Sequence, residues 1–242
     1  MDILILAGGR VPADLAEFAG VELRAELPFR GRRMMDWVVD AVSHLGQPWI
    51  VGHPDPDSPR AIPGGSSFID SIEKGLEHCP GPEILIVTGD LPYLTREAVD
   101  DFLSQCDRSM MLNYPIIRAE AAERQFPGMK RTLKKLREGN FTGGNIALVD
   151  RQLLMSALPK LQSAYQHRKS VLKLGQLVGP RTLLRLVVSF AWPQTLSVDT
   201  LAQSVGKMIG GPVKAILTDF AEIGADIDNL DQYRSAISAS NT

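Results

Sequence analysis

Cysteine, histidine and aromatic residues are scarce in this chain: its 242 residues include two cysteines, four histidines, three tryptophans and four tyrosines. Cys79 and Cys106 cannot by themselves build a disulfide framework or a thiolate metal site, which suits a reducing compartment, and both read as small packing residues. His44, His53, His78 and His167 show no metal-ligand spacing, and none is a candidate for catalysis. Trp37, Trp49 and Trp192 read as core residues rather than platforms for stacking a base. Long apolar runs are missing too. No stretch reaches the roughly 18 uninterrupted apolar residues of a membrane span, and the N-terminus lacks a basic segment followed by an apolar one. The cytoplasm is therefore the expected location. An excess of one charge is also absent, with 26 Lys+Arg against 28 Asp+Glu and a formal net charge of −2. Nothing in that balance favours non-specific binding to nucleic acid or to an anionic membrane.

With 44% hydrophobic and 22% charged residues, the chain has the composition of a globular protein long enough for one large α/β domain. A single domain over residues 1–235 is expected, followed by a flexible tail at 236–242. Strand-like runs lie at Asp2 to Leu6, Trp49 to Gly52, Ile84 to Thr88, Ser109 to Tyr114, Asn145 to Val149 and Val213 to Leu217. Leu183 to Trp192, broken by Arg185 and Ser189, reads as a further core strand or helix segment. Helical periodicity occupies Met34 to Leu45, Ser67 to His78 and 95–105, the last opening on Thr95 as N-cap, and a final helix is expected from Asp231 to Ile237. Alternation of strands and helices predicts a three-layer α/β/α architecture with a mainly parallel sheet.

In such sheets ligands bind beyond the carboxyl ends of the strands. Ile3 to Leu6 runs into Ala7-Gly8-Gly9-Arg10, where glycines bring backbone N–H groups to an anion and an arginine adds a charge-assisted contact; an ordinary turn explains the glycines as well. A later run ends in Thr88-Gly89-Asp90-Leu91-Pro92, presenting a carboxylate at a strand terminus where Mg²⁺ is commonly held, or simply a turn aspartate. Asp226 and Asp228 flank Ile227, so an extended backbone points both the same way; helix capping by Asn229 or Asp231 is the plainer account of that acidity. Gly64-Gly65-Ser66 precedes a helix and admits either close approach of a flat ring or a plain N-cap. Basic residues cluster at Arg30-Gly31-Arg32-Arg33 and from Lys130 to Arg137; an amphipathic helix over Arg131 to Arg137 with solvated charges is the simplest reading. A dehydrogenase fold is excluded, since no Gly-x-Gly-x-x-Gly opens a helix after the first strand.

Taken in order, Leu6 to Arg10, Arg24 to Met34, Thr88 to Pro92, Thr142-Gly143-Gly144-Asn145 and Asp226 to Asn229 resemble the motif series of MobA-like NTP transferases, across residues 2 to about 235. The resemblance implies a Rossmann-like GT-A nucleotidyltransferase fold. It implies a nucleotide-binding loop at Leu6, Ala7, Gly8 and Gly9 with Arg10. Base and ribose would lie near Gly64, Gly65 and Ser66, Gly89 would also bind the nucleotide, and Mg²⁺ would sit on Asp90 with Asp226 or Asp228. Thr142, Gly143, Gly144 and Asn145 would face an acceptor, with Lys130, Arg131, Lys134 and Arg168 or Lys169 near its phosphate. Two departures stand out. Arg24 takes the place of the usual lysine, replacing a compact ammonium by a planar fork. After Arg10 the loop continues Val11-Pro12-Ala13-Asp14, without the further glycine and basic residue of many relatives.

The implied reaction is attack of an acceptor phosphate on the α-phosphorus of an NTP with loss of pyrophosphate, with Arg10, Arg24 and Asp90 as the catalytic set. Its rivals are a GT-A glycosyltransferase using a nucleotide sugar and a non-catalytic nucleotide-binding relative. The base, the acceptor and whether a homodimer forms are open at this point.

Overall fold

A computed structural model describes residues 1–53, 58–166 and 196–239. Leu183 to Trp192, His167, Arg168 and Lys169 lie outside the described residues. The chain runs β1 (Asp2–Leu6), α1 (Ala13–Ala19), β2 (Pro28–Phe29), β3 (Arg32–Arg33), α2 (Met34–Val42), β4 (Trp49–Val51) and β5 (Ala61–Ile62). It continues through α3 (Phe68–His78), β6 (Glu83–Thr88), α4 (Arg96–Gln105), β7 (Leu112–Arg118), α5 (Ala119–Gln125), β8 (Lys134–Leu136) and β9 (Gly139–Gly143). Then come β10 (Ile146–Asp150), α6 (Arg151–Gln166), α7 (Val198–Ile209), β11 (Val213–Thr218) and α8 (Leu230–Ala239).

The main sheet has the order β5-β4-β1-β6-β10-β7-β9-β8, with β11 paired to β7. Its first four strands are parallel, as is the β7–β11 pair. In contrast, β10 runs antiparallel to both β6 and β7, and β9 antiparallel to both β7 and β8. The sheet is thus mixed, with its parallel character concentrated where β1 and β6 end.

Both faces of the sheet are covered, which is why β1 and β6 read as continuous apolar runs rather than alternating ones. From β1, Ile3 and Ile5 point into a core shared with Val38 of α2 and Phe102 of α4, while Leu4 and Leu6 point into one shared with Ile72 of α3 and Leu158 of α6. Gly75 lets α3 lie flat on the sheet, since a Cβ there would come within 2.5 Å of Leu4 Cδ2. Helix starts follow their capping residues. Ser67 accepts from the Asp70 N–H, Thr95 from Ala98 and Ser197 from Thr200.

Three expectations need correction. The run expected as a strand at Ser109 to Tyr114 is shifted to Leu112–Arg118 and contains Pro115. That proline is tolerated because it falls where β10 gives way to β9 along the β7 edge, and its carbonyl still accepts from Gly144 N–H at 3.0 Å. The helix expected over Arg131 to Arg137 is instead an irregular segment followed by β8, because Leu136 is drawn into a core with Phe141 and Leu196. The final helix runs past its expected end at Ile237. α8 continues through Ala239, and Ala236 is buried with Tyr233 against Leu15 and Phe29.

Candidate functional site

Three loops meet at the carboxyl ends of β4, β1 and β6, held together by main-chain bonds. Ala7 N–H donates to Val51 at 2.8 Å, Gly52 N–H to Ile62 at 2.9 Å and Gly89 N–H to Leu6 at 2.9 Å. The glycines allow this closeness. Gly52, at φ +88°, packs on Gly8, and a Cβ there would lie 2.6 Å from Gly8 Cα; a Cβ on Gly64 would lie 3.1 Å from Gly52 Cα. Gly65 is equally constrained, since its Cβ would sit 2.5 Å from the Ser71 nitrogen. The result is a cleft of about 540 Å³ with a backbone floor, lined by Leu6 to Arg10, Arg24, Gly65, Ser66 and Thr88 to Asp90. Gly52 was not singled out from the sequence, although a glycine directly after a strand was the available signal.

Arg10 and Arg24 are set by a short backbone ladder, in which Arg24 N–H donates to the Gly9 carbonyl at 2.8 Å and Val11 N–H to Glu22 at 3.0 Å. The Arg10 guanidinium pairs with Glu22 at 2.8 Å, both side chains 76% exposed. Such a pair is worth at most about 1 kcal/mol, so a phosphate can replace Glu22 with little loss. Arg24 reaches inward, its Nη1 3.1 Å from Asp90 Oδ2 and 2.6 Å from Asp228 Oδ1.

Of the other expected residues, Lys130, Arg131, Lys134, Thr142, Gly143, Asn145, Asp226 and Asp228 line a second cleft of about 520 Å³, and Gly144 is not part of its lining. Here Asn145 ties the two halves of the molecule, accepting from Thr88 N–H at 3.1 Å and donating to Ile223 at 2.8 Å. Gly143 and Gly144 are required by packing. A Cβ on the first would come within 2.5 Å of Tyr114 Oη, and one on the second within 2.8 Å of Pro115 and Ile223. Tyr114 itself donates to the Gly144 carbonyl at 2.6 Å. Arg131 packs its guanidinium over Phe126 at 5.4 Å, and its Nε and Nη1 are buried with no hydrogen-bond partner among the described residues. Burial lowers its pKa, and the nearby Asp226 carboxylate opposes that shift. The Arg32 and Arg33 charges, by contrast, are engaged locally by Asp40 and Asp36 of α2.

Asp90, Asp226 and Asp228 converge where the two clefts meet, with one carboxylate oxygen from each lying within 4.8 Å of the others. Asp90 is buried at the end of β6, and its Oδ1 has no hydrogen-bond partner among the described residues. Asp226 and Asp228 come from the irregular chain before α8, a segment anchored by buried Glu222, which accepts from Thr95 at 3.1 Å and Gln125 at 2.9 Å. Burial, then the adjacent Asp228 and Asp90 carboxylates, push the Asp226 carboxyl up to about 7. Three carboxylate oxygen donors are the ligand chemistry that a hard cation such as Mg²⁺ takes. The orphaned Asp90 oxygen is the kind of buried group such an ion satisfies.

Comparison with known proteins bears on this arrangement. Residues 3–182 match the model of the MobA-like NTP transferase domain. The chain belongs to that family. As a MobA-like domain it is a nucleotidyltransferase by kinship, in agreement with the motif order read above. It is 35% identical to a hypothetical transferase from Thermus thermophilus, covering 96% of this chain and 99% of that one with a TM-score of 0.84. The fold alone is shared with the 2-C-methyl-D-erythritol 4-phosphate cytidylyltransferase of Thermus thermophilus (17% identity, 100% and 99% coverage, TM-score 0.54). It is likewise shared with the 4-diphosphocytidyl-2C-methyl-D-erythritol synthase of Anaerococcus prevotii (11%, 100% and 98%, TM-score 0.59). No curated protein matches significantly. Among the described residues of this MobA-like domain, no helix is long and apolar enough to cross a membrane.

Proposed function

We propose that the chain transfers a nucleoside monophosphate from an NTP to a small, phosphate-bearing acceptor, releasing pyrophosphate with the help of Mg²⁺. The observation that carries this reading is the carboxylate triad at the junction of a glycine-floored cleft and a cation-lined one. In this reading the first cleft takes the NTP. Main-chain N–H groups of Gly8 and Gly9 face its phosphates, and Arg10 and Arg24 neutralise them. The base and ribose lie toward Gly64, Gly65 and Ser66. The second cleft takes the acceptor at Thr142 to Asn145, with its phosphate on Lys130, Arg131 and Lys134.

An oxygen of the acceptor phosphate attacks the α-phosphorus in line. The new P–O bond forms as the bond to the β-phosphate oxygen breaks, and pyrophosphate leaves with that electron pair. The acceptor is already an anion, so no side chain has to remove a proton. The chain contributes position and charge compensation, which dominate phosphoryl-type transfers. Asp90, Asp226 and Asp228 would hold Mg²⁺, which would supply charge neutralisation to the phosphates.

Pyrophosphate release from ATP, GTP, CTP and UTP across a panel of phosphorylated acceptors tests the reading. Turnover with one pair, reduced at least about a hundredfold in Asp90→Asn, is the expected result. A fully active Asp90→Asn enzyme overturns the metal assignment. Pyrophosphate release with none of the triphosphates, in a chain that instead turns over or binds a nucleotide sugar, overturns the reaction class.

A further inference from the structure

Arg24 stands at the entrance to a single 3₁₀ turn, Arg24–Glu26, and its side chain is 29% exposed. Its Nε donates to the Arg10 carbonyl at 3.3 Å, which directs the guanidinium across the cleft mouth. One nitrogen, Nη1, then lies 3.1 Å from Asp90 Oδ2 and 2.6 Å from Asp228 Oδ1. These two residues are also two of the three whose oxygens cluster within 4.8 Å. A carboxylate lone pair directed at a guanidinium N–H is not available to a cation, and a guanidinium carries its charge permanently. Arg24 and a divalent ion therefore compete for the same two carboxylates with the same sign of charge.

We propose that Arg24 is a built-in occupant of the Asp90–Asp228 cation position, which the divalent ion enters only when the triphosphate draws the guanidinium away. This rests on the carboxylates being the metal site of the proposed reaction. It goes beyond that reading because it makes the ion and the triphosphate cooperative. Phosphate oxygens accept the Arg24 fork more readily than an exposed Asp228 does, so nucleotide entry frees both carboxylates at once. By linkage the coupling is reciprocal: the ion must raise triphosphate affinity by the same factor. An ammonium at this position, a single point charge without the fork, would hold the pair less firmly.

Mn²⁺ binding to the nucleotide-free protein, followed by the electron paramagnetic resonance of the unbound ion, tests the idea without reference to activity. Arg24→Gln should bind Mn²⁺ about tenfold tighter than wild type, within the range usual for such couplings, and Arg24→Lys should fall between them. Arg131→Gln removes the same charge beside Asp226 while leaving Asp90 and Asp228 untouched, and should gain less. Unchanged or weaker binding by Arg24→Gln overturns the proposal, and so does an equal gain in Arg131→Gln, which reduces the effect to general electrostatics. Asp90→Asn in the Arg24→Gln background should abolish the tight site. Mn²⁺ binding that survives that change, or no binding by any variant, removes the metal reading of the carboxylates and this inference with it.

Discussion

Replacing Asp226 by asparagine should stabilise the protein, and the size of the gain should depend on pH. Folding takes this carboxyl out of water and sets it beside Asp228 and Asp90, which moves its pKa from 3.8 up to about 7. Between those values the folded chain keeps a proton that the unfolded chain has lost. Stability therefore falls as pH rises through this window and is flat above it. A tenfold change in proton affinity is worth about 1.4 kcal/mol, so the full shift corresponds to about 4 kcal/mol above pH 7. Solvent around the partly exposed cluster lowers this, leaving about 2–4 kcal/mol as the expected difference. The substituted amide has nearly the same shape as the carboxyl, carries no charge and can donate to Asp228. Urea denaturation of wild type and Asp226→Asn at pH 5 and pH 8, with chelator present throughout, measures the difference directly. The variant should be the more stable at pH 8, by a margin clearly larger than at pH 5, and replacing the chelator with Mg²⁺ should narrow the gap by stabilising wild type alone. Equal stabilities at pH 8, or a margin that does not change with pH, would refute the argument that these carboxylates repel one another in the folded chain.

Gly52→Ala should destabilise the fold by about 2–4 kcal/mol, because it combines a left-handed backbone, φ +88°, with a Cβ 2.6 Å from Gly8 Cα; chemical denaturation reads the loss, and less than about 1 kcal/mol would mean the loops separate easily. Arg131→Gln should raise the KM for a phosphorylated acceptor about tenfold or more with little change in that for the NTP, the value of a hydrogen bond to a charged group. Steady-state kinetics with each substrate varied in turn would separate the two, and an equal rise in both would argue against an acceptor-side role.

The parallel half of the sheet was legible in the sequence because strands buried on both faces leave long apolar runs, as at Ile3 to Leu6 and Ile84 to Val87. Thr95 announced its helix because an N-cap is a local device. The second half was harder. The shifted β7 depends on pairings with β9, β10 and β11, segments distant from it in the chain, and Pro115 sits inside a strand only because of where its neighbours change over. The order of the site motifs was legible, but their contacts were not. Nothing local says that Arg24 turns toward Asp90 and Asp228, or that Arg10 turns outward to Glu22. Those outcomes follow from the two-rung backbone ladder beside Gly9, which links residues more than ten positions apart.

The hydrogen bond from Thr88 N–H to the Asn145 carbonyl has a mechanical meaning. It splices the last residue of β6 to the loop before its antiparallel neighbour β10, so the walls of both clefts are continuous with a single hydrogen-bonded ladder. In-line chemistry needs its two reactants held to within a fraction of an ångström. A hinge between two lobes would reset that separation at every cycle, whereas here the spacing is built from the gauge of a β-sheet, which thermal motion changes least. Variation in either loop can then alter which molecules are brought together without altering how far apart they are held.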